Sequence, residues 1–329
     1  MKDKLSYSSA ILSAYEYLLE NYEEVFVIGQ GLWSPWYVGN TMKDLDLKFG
    51  KERIIDTPVS ESAVTGMAVG ASLGKSKPIV VHPRIDFMLY AMDSIVNQAA
   101  KWSHMTGGQA HPGVTIRGII NRGGEQGAQH SQSLHSWFAH IPGLRVLMPA
   151  TVSDARDMLI ASVLSPDPVI YIDDRWLYEI EEEVDPITEI EISKFTPQIL
   201  RQGDDLTIVS CGFSSKLALD CSLILDSFGI AAEVVDIRTL NPFNSDEIVK
   251  SVTKTGRLVT IDGSWKNVGF SSEVIASVFE QVPISSILQN PIRFNIAESP
   301  APTSRVLEQI YYPKPEEIVQ IINEKMNFA

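Results

Sequence analysis

Cysteine is nearly absent from this chain. Only Cys211 and Cys221 occur in 329 residues, and neither belongs to a Cys-x-x-Cys pair or to a cluster of other metal-ligating residues. That excludes a disulfide framework and a thiolate zinc site, and leaves both thiols as small buried apolar groups in a reducing compartment. No apolar run is long enough to span a bilayer, and no charged-then-apolar leader follows Met1. The expectation is a soluble protein of the cytoplasm or an organelle matrix, with no membrane association. Basic residues are also in deficit, with 27 Lys and Arg against 41 Asp and Glu and a formal net charge of −14. Such a field repels a phosphate backbone, so nucleic acid is not an expected partner. Histidine is missing from the whole second half; His82, His104, His111, His130, His135 and His140 all fall in one stretch, where polar chemistry is therefore expected.

What is present is a repeated α/β grammar. Short β-rich apolar runs at 25–28, 77–81, 114–117, 144–147 and 169–172 alternate with helical spacing at 8–21, 61–73, 91–104 and 152–165. This is the pattern of a mostly parallel sheet covered by helices on both faces. Residues 179–196 are acidic, carry Pro186 and lack amphipathic order, and so read as a connection. The grammar then restarts with strands at 206–210, 232–237, 258–261 and 292–296. Helices are expected at 215–228, 245–253, 271–281, 303–311 and 315–325. At this length a single core has usually stopped growing. The expected fold class is α/β with two domains, at 1–185 and 204–329, joined by a linker at 186–203.

Two motifs suggest chemistry and fail on context. Gly29 and Gly31 follow a strand as in a dinucleotide fingerprint, but Ser34 replaces the third glycine and Pro35 follows where a helix should open. Gly70-Ala-Ser-Leu-Gly74 matches a nucleophile elbow, but Ser72 lies near the end of a helical pattern and not after a strand. Gly66, Gly70 and Gly74 instead strip one helix face of side chains, so that another backbone can approach.

The segment that carries weight is Asp56-Thr-Pro-Val-Ser-Glu61, which places one carboxylate at the start of the glycine-rich helix. From spacing alone, Glu61 reads as an ordinary first-turn acid facing the helix dipole. Further strings accompany it: Gly66-Met-Ala-Val-Gly70, Asn97-Gln-Ala-Ala-Lys101, Gln129-His-Ser-Gln132, Phe138-Ala-His-Ile-Pro-Gly-Leu-Arg-Val146 and Asp236-Ile-Arg-Thr-Leu-Asn-Pro242. Together, and in order over essentially the whole chain, they resemble the beta subunit of the decarboxylating component of 2-oxo-acid dehydrogenase complexes. Such a subunit pairs a transketolase-like pyrimidine-binding domain with a transketolase C-terminal-like domain.

The resemblance implies a thiamine diphosphate enzyme. In that family a carboxyl group hydrogen-bonds the cofactor's aminopyrimidine and drives the tautomer that removes the thiazolium proton. Glu61 matches that group, in a setting of Ala63, Met67 and Ala68 where desolvation would favour a shared proton. Phe87 matches the aromatic that stacks on the pyrimidine, although a lone aromatic also reads as core. Val59 and Tyr90 match neighbouring cofactor contacts. His130 matches an active-site histidine that orients substrate or protonates an intermediate, against the plainer reading of a solvated loop histidine. His140 reads as fixing the turn at Pro142-Gly143. The resemblance also implies a monovalent cation near Ser162, Ser165 and Asp167, although the side chains there differ from the usual ones.

The Gly-Asp-Gly string with which this class anchors Mg²⁺ and the diphosphate does not occur in the sequence; Gly203-Asp-Asp205 and Asp262-Gly263 are the nearest. An alpha-type subunit is therefore expected to hold the Mg²⁺ and diphosphate, with a second beta copy completing the assembly. A lipoyl acyltransferase is the expected carrier and a 2-oxo acid the expected substrate. Alternatives of the same chemistry are a two-chain transketolase-like or an acetoin-cleaving enzyme; an inactive scaffold is a third. Gln30-Gly31 stands where the family carries paired acids, and Trp33, Trp36 and Tyr37 fill the next loop, so the inter-site proton relay and the substrate preference are expected to differ.

Overall fold

The computed structural model describes residues 2–326 and 328. They form two compact units, one of Met1–Asn121 with Trp137–Phe195 and one of Arg122–Ser136 with Thr196–Ala329.

In the first unit the strands are β1 (Asp3–Ser6), β2 (Val25–Gly29), β3 (Ile54–Asp56), β4 (Lys77–His82), β5 (Thr115–Ile120), β6 (Arg145–Leu147), β7 (Val169–Asp174) and β8 (Glu181–Val184). The sheet runs β6-β7-β5-β4-β2-β3, and every pairing along it is parallel. Its strands are rich in Val and Ile because both faces are covered: Val27, Ile79, Val80, Ile116, Val146 and Ile170 lose all exposure. Each such side chain contributes about 1.5–3 kcal/mol on burial. The helix Tyr7–Asn21 starts at Ser6, whose side chain accepts the Ser9 N–H, and buries Ile11, Ala14, Tyr15 and Leu18. At the end of β2 the chain can carry only glycine, since a Cβ on Gly29 would lie 2.4 Å from the Val81 carbonyl oxygen.

The second unit contains β9 (Gln198–Arg201), β10 (Leu206–Ser210), β11 (Ala232–Asp236), β12 (Thr239–Asn241), β13 (Leu258–Trp265) and β14 (Ile292–Ile296). Its sheet runs β14-β13-β10-β11-β9, parallel except for the edge strand β9. The helix Pro315–Lys325 shows how local signals set an element. Proline opens it, Glu316 and Glu317 sit in its first turn, Lys325 sits in its last, and Ile318, Val319 and Ile322 are buried. These join Leu206, Ile208 and Leu225 in one core.

Three stretches depart from the sequence reading. The acidic run after residue 179 is not wholly irregular: Glu181–Val184 forms β8, antiparallel to the unexpected β1, with Lys4 Nζ 2.5 Å from Glu181. Residues 198–201, read as connection, form the edge strand β9. The single helix expected at 91–104 is a wide π-type turn at Asp93–Ala99 followed by an α-helix at Ala100–Met105. Seven residues of apolar spacing do not distinguish the two windings. Among the described residues, no helix is long and apolar enough to cross a membrane.

Candidate active site

The carboxyl ends of parallel strands are where open α/β sheets place ligands, and the first unit concentrates its unusual side chains there. After β3, Pro58 and Ser60 lead directly into the helix Glu61–Leu73, with Glu61 as its first residue and half-buried. The helix packs against the turn Phe87–Ala91, which follows β4, and against the π-type segment. Ser94 Oγ donates to the Ser62 carbonyl at 3.4 Å, and a Cβ on Gly66 would stand 3.3 Å from that same hydroxyl. The backbone approach expected at this glycine face is not what the structure shows: the neighbour of Gly66 is a side-chain hydroxyl. Gly70 faces open space, and Gly74 meets only a carbonyl of its own turn.

Glu61, Val59, Phe87 and Tyr90 are thus carried on two packed elements of one unit. Val59 is 65% exposed, Met67 58% and Tyr90 74%, while Phe87 is half-buried. Three exposed apolar side chains and one half-buried carboxylate are therefore carried on this part of the unit.

One turn along from Glu61, Thr65 Oγ1 lies 3.1 Å from His82 Nε2. Burial alone lowers His82 to about 4, so at neutral pH it is an uncharged hydrogen-bonding partner for the helix. In the loop after β2, Asp56 accepts the Gly31 N–H at 2.6 Å and the Leu32 N–H at 3.2 Å. That carboxylate, not a helix N-terminus, organises the false dinucleotide motif; the chain continues into the four-residue helix Pro35–Val38. Ser72 is buried in the last turn of the helix with its hydroxyl turned back to the Val69 carbonyl at 2.7 Å, which removes the nucleophile reading.

Behind this edge, Arg117 of β5 is fully buried and every N–H of its guanidinium has an acceptor. Nε and Nη2 grip the two Asp173 oxygens at 2.8 and 2.7 Å. Nη2 also reaches Tyr178 Oη at 3.1 Å, and Nη1 reaches Thr41 Oγ1 at 3.0 Å and Tyr15 Oη at 3.4 Å. Read as a strand residue in the sequence, it ties β7, the first helix and the loop after β2 together. The only sequence signal was an arginine inside an apolar run.

His130 lies in residues 122–136, which group with the second unit. It is half-buried, and its N–H donates to the Gly127 carbonyl at 3.4 Å. The segment is pinned along its length. Both Glu308 oxygens accept the Glu125 N–H at 3.1 Å, a Cβ on Gly127 would meet Thr303 Oγ1 at 2.7 Å, and His135 is fully buried between Ser133 Oγ (2.9 Å) and Asp262 Oδ1 (3.1 Å). Burial pushes the Asp262 carboxyl up, but His135 and the Ser264 N–H and hydroxyl outweigh it and hold the group at about 2. A carboxylate held below its ordinary 3.8 stabilises the fold above about pH 4 and loses that contribution as pH falls towards 2, in all about 2 kcal/mol. Asp262→Asn should therefore flatten the loss of unfolding free energy between pH 4 and 2 relative to wild type, as read by denaturant titration. An unchanged slope would refute the pairing.

Both cysteines are buried and unpaired, with burial raising Cys221 to about 12, which leaves them chemically inert as the sequence suggested. Ser162 donates to the Met158 carbonyl at 2.6 Å, and Asp167 Oδ2 meets Arg145 Nε at 3.2 Å. The Ser165 and Pro166 carbonyls lie close to Gly113. Among the described residues, no group of three or more His, Cys, Asp or Glu is placed to hold a metal ion.

A parallel α/β unit followed by a second α/β unit is also the order in which the chain matches two known domains. Residues 3–180 match the transketolase pyrimidine-binding domain and residues 196–318 the transketolase C-terminal domain. The solved structure described as a split-gene transketolase, inactive beta4 tetramer, superposes with a TM-score of 0.78 over 98% of both chains at 21% identity, a likeness of fold. The beta subunit of the mitochondrial pyruvate dehydrogenase E1 component of Saccharomyces cerevisiae is 34% identical over 97% of this chain and 88% of its own length. The beta subunit of acetoin:2,6-dichlorophenolindophenol oxidoreductase of Cupriavidus necator is 35% identical over 99% of this chain and 98% of its own. The chain belongs to the family of pyruvate dehydrogenase E1 component beta subunits and their relatives.

Proposed function

We propose that this chain is the beta-type subunit of a thiamine diphosphate-dependent enzyme that decarboxylates a 2-oxo acid and passes the acyl unit to a lipoyl carrier. The observation that carries the reading is Glu61, half-buried at the first turn of its helix, with Val59 just before that helix, Met67 on it and Tyr90 on the turn packed against it all exposed. Thiamine diphosphate, when bound, supplies a nucleophilic carbon and an electron sink for the bond cleavage. Glu61 holds or shares a proton at its carboxyl oxygen opposite the pyrimidine nitrogen. Phe87 covers one face of the ring, and Val59 and Tyr90 exclude water from its edge. His130 donates a hydrogen bond or a proton on the substrate side. Residues 162–167 are candidates to hold a monovalent cation through carbonyl oxygens.

Because the sequence has no Gly-Asp-Gly string, the reading gives the Mg²⁺ and diphosphate to an alpha-type subunit, with two copies of each chain in the complex. The site of action is the cytoplasm or an organelle matrix. Calorimetric titration tests the division of labour. The chain alone should show no Mg²⁺-dependent binding of thiamine diphosphate at micromolar concentration, and saturable binding should appear when the co-purifying chain is added. Tight binding by this chain alone would refute it. The similarity to the acetoin enzyme's beta subunit over nearly the full length of both chains supports a second reading, cleavage of a hydroxyketone. Lipoamide-dependent turnover of a 2-oxo acid separates the first from the second.

A further inference from the structure

One short helix of the second unit is turned against its own composition. In the helix Arg305–Tyr311, Val306, Leu307 and Ile310 are 72%, 51% and 75% exposed, while Glu308 is only 8% exposed. Apolar side chains gain from burial and a carboxylate loses by it unless it is hydrogen-bonded, so composition alone would rotate the helix the other way. Tyr311 holds it as it is. That ring is buried beside Ile296 and Ala301, and its Oη donates to the Ser299 carbonyl at 2.7 Å, an oxygen that also accepts Trp265 Nε1 of β13 at 3.1 Å.

The inward turn gives Glu308 one contact, with the loop that leads to His130. Both of its oxygens accept the Glu125 N–H at 3.1 Å. Glu125 has φ of 62°, and Gly123, Gly124 and Gly127 beside it have φ of 75°, 67° and 72°. Glycine takes such left-handed backbone without steric cost, whereas a residue with a Cβ does not and needs an offsetting interaction. Successive N–H groups in turns of this kind form a concavity suited to an anion. The Glu308 carboxylate is the anion that this chain places against it.

The loop is fixed on either side of that contact. A Cβ on Gly263 would meet Arg122 Nη1 at 2.7 Å, and His135 Nε2 lies 3.1 Å from Asp262 Oδ1, so both ends rest on β13. Gly127 packs on Thr303, just ahead of the inverted helix, and its carbonyl accepts the His130 N–H at 3.4 Å. Between these points the left-handed course at Glu125 decides where the backbone delivers His130.

We propose that Glu308 is a positioning residue for His130, its carboxylate holding the loop from Arg122 in the one course that brings the imidazole to the substrate. The inference rests on the role given to His130 above; the pinning of the loop does not.

Two measurements test it. Amide hydrogen exchange on the full-length chain, read by mass spectrometry, should speed up about tenfold or more in Glu308→Ala within residues 122–130 and stay at wild type in β10 and β13. In the complex with the co-purifying chain, with pyruvate and acetoin as probes, kcat on the one that wild type turns over should fall about tenfold or more in Glu308→Ala. The double variant Glu308→Ala, His130→Ala should be no slower than His130→Ala alone, because Glu308 acts only through that side chain. A residue that merely supported the fold would lower turnover in both backgrounds. Thermal melting confirms folding; should Glu308→Ala fail, Glu308→Gln keeps the size and one accepting oxygen and must show a smaller loss in the same places. Unchanged exchange, wild-type turnover in Glu308→Ala beside an impaired His130→Ala, or additive losses overturn the proposal alone. Wild-type turnover in His130→Ala defeats the role of His130, and the inference with it. A wild-type complex that turns over neither probe defeats the proposed function and leaves the exchange result to decide whether Glu308 sets the loop.

Discussion

Glu61→Gln in the assembled enzyme should lower kcat on the order of a thousandfold while leaving the fold intact. The substitution keeps the size of the side chain and removes only its ability to carry and share a proton. Positioned proton transfer of this kind is worth about 10² to 10⁴ in rate. Structure should barely register the change, because Glu61 makes no packing contribution that glutamine lacks. Its first-turn charge is worth at most about 1 kcal/mol against the helix dipole. The two readings of Glu61, dipole partner and cofactor partner, thus separate cleanly. A dipole partner alone predicts a small loss of stability and near-wild-type turnover; a cofactor partner predicts the reverse. Steady-state kinetics beside a thermal melt decides between them.

Arg117→Met should destabilise the first unit by about 3–5 kcal/mol, since it strands the Asp173 carboxylate in a site without exposure. Its acceptors are distributed over β7, Tyr178, Thr41 and Tyr15, so the loss falls on the segments that frame the candidate site. The double variant Arg117→Met, Asp173→Leu should recover most of the loss, because removing both charges removes the desolvation cost with them. Urea unfolding of the two variants measures this. A single-variant cost under about 1 kcal/mol would show that the network is not what fixes the sheet edge.

Elements with strong local punctuation were legible from the sequence to the residue. The helix at 61–73 follows a proline turn and stops at Gly74; the helix at 315–325 opens on proline with two acids. Strands Leu206–Ser210 and Ile292–Ile296 are bounded apolar runs. What escaped is non-local. β8 is an acidic strand that exists because β1, at the other end of the unit, brings Lys4 and a complementary edge to it. β9 exists because β11 offers an open edge.

The same limit governs the candidate site. Glu61 is proposed only because several motifs in order resemble one family, since its spacing alone describes any first-turn acid. The partners of Arg117 depend on strand order, and no local pattern encodes that. His135 was one histidine among six until Asp262 was placed beside it.

The most direct test of the central claim is the exchange of the thiazolium C2 proton for deuterium, followed by NMR, with thiamine diphosphate bound to the complex of this chain and its partner. The account predicts fast exchange in the wild-type complex and a fall to the rate of the free cofactor in Glu61→Gln. Equal exchange in the two complexes would contradict it.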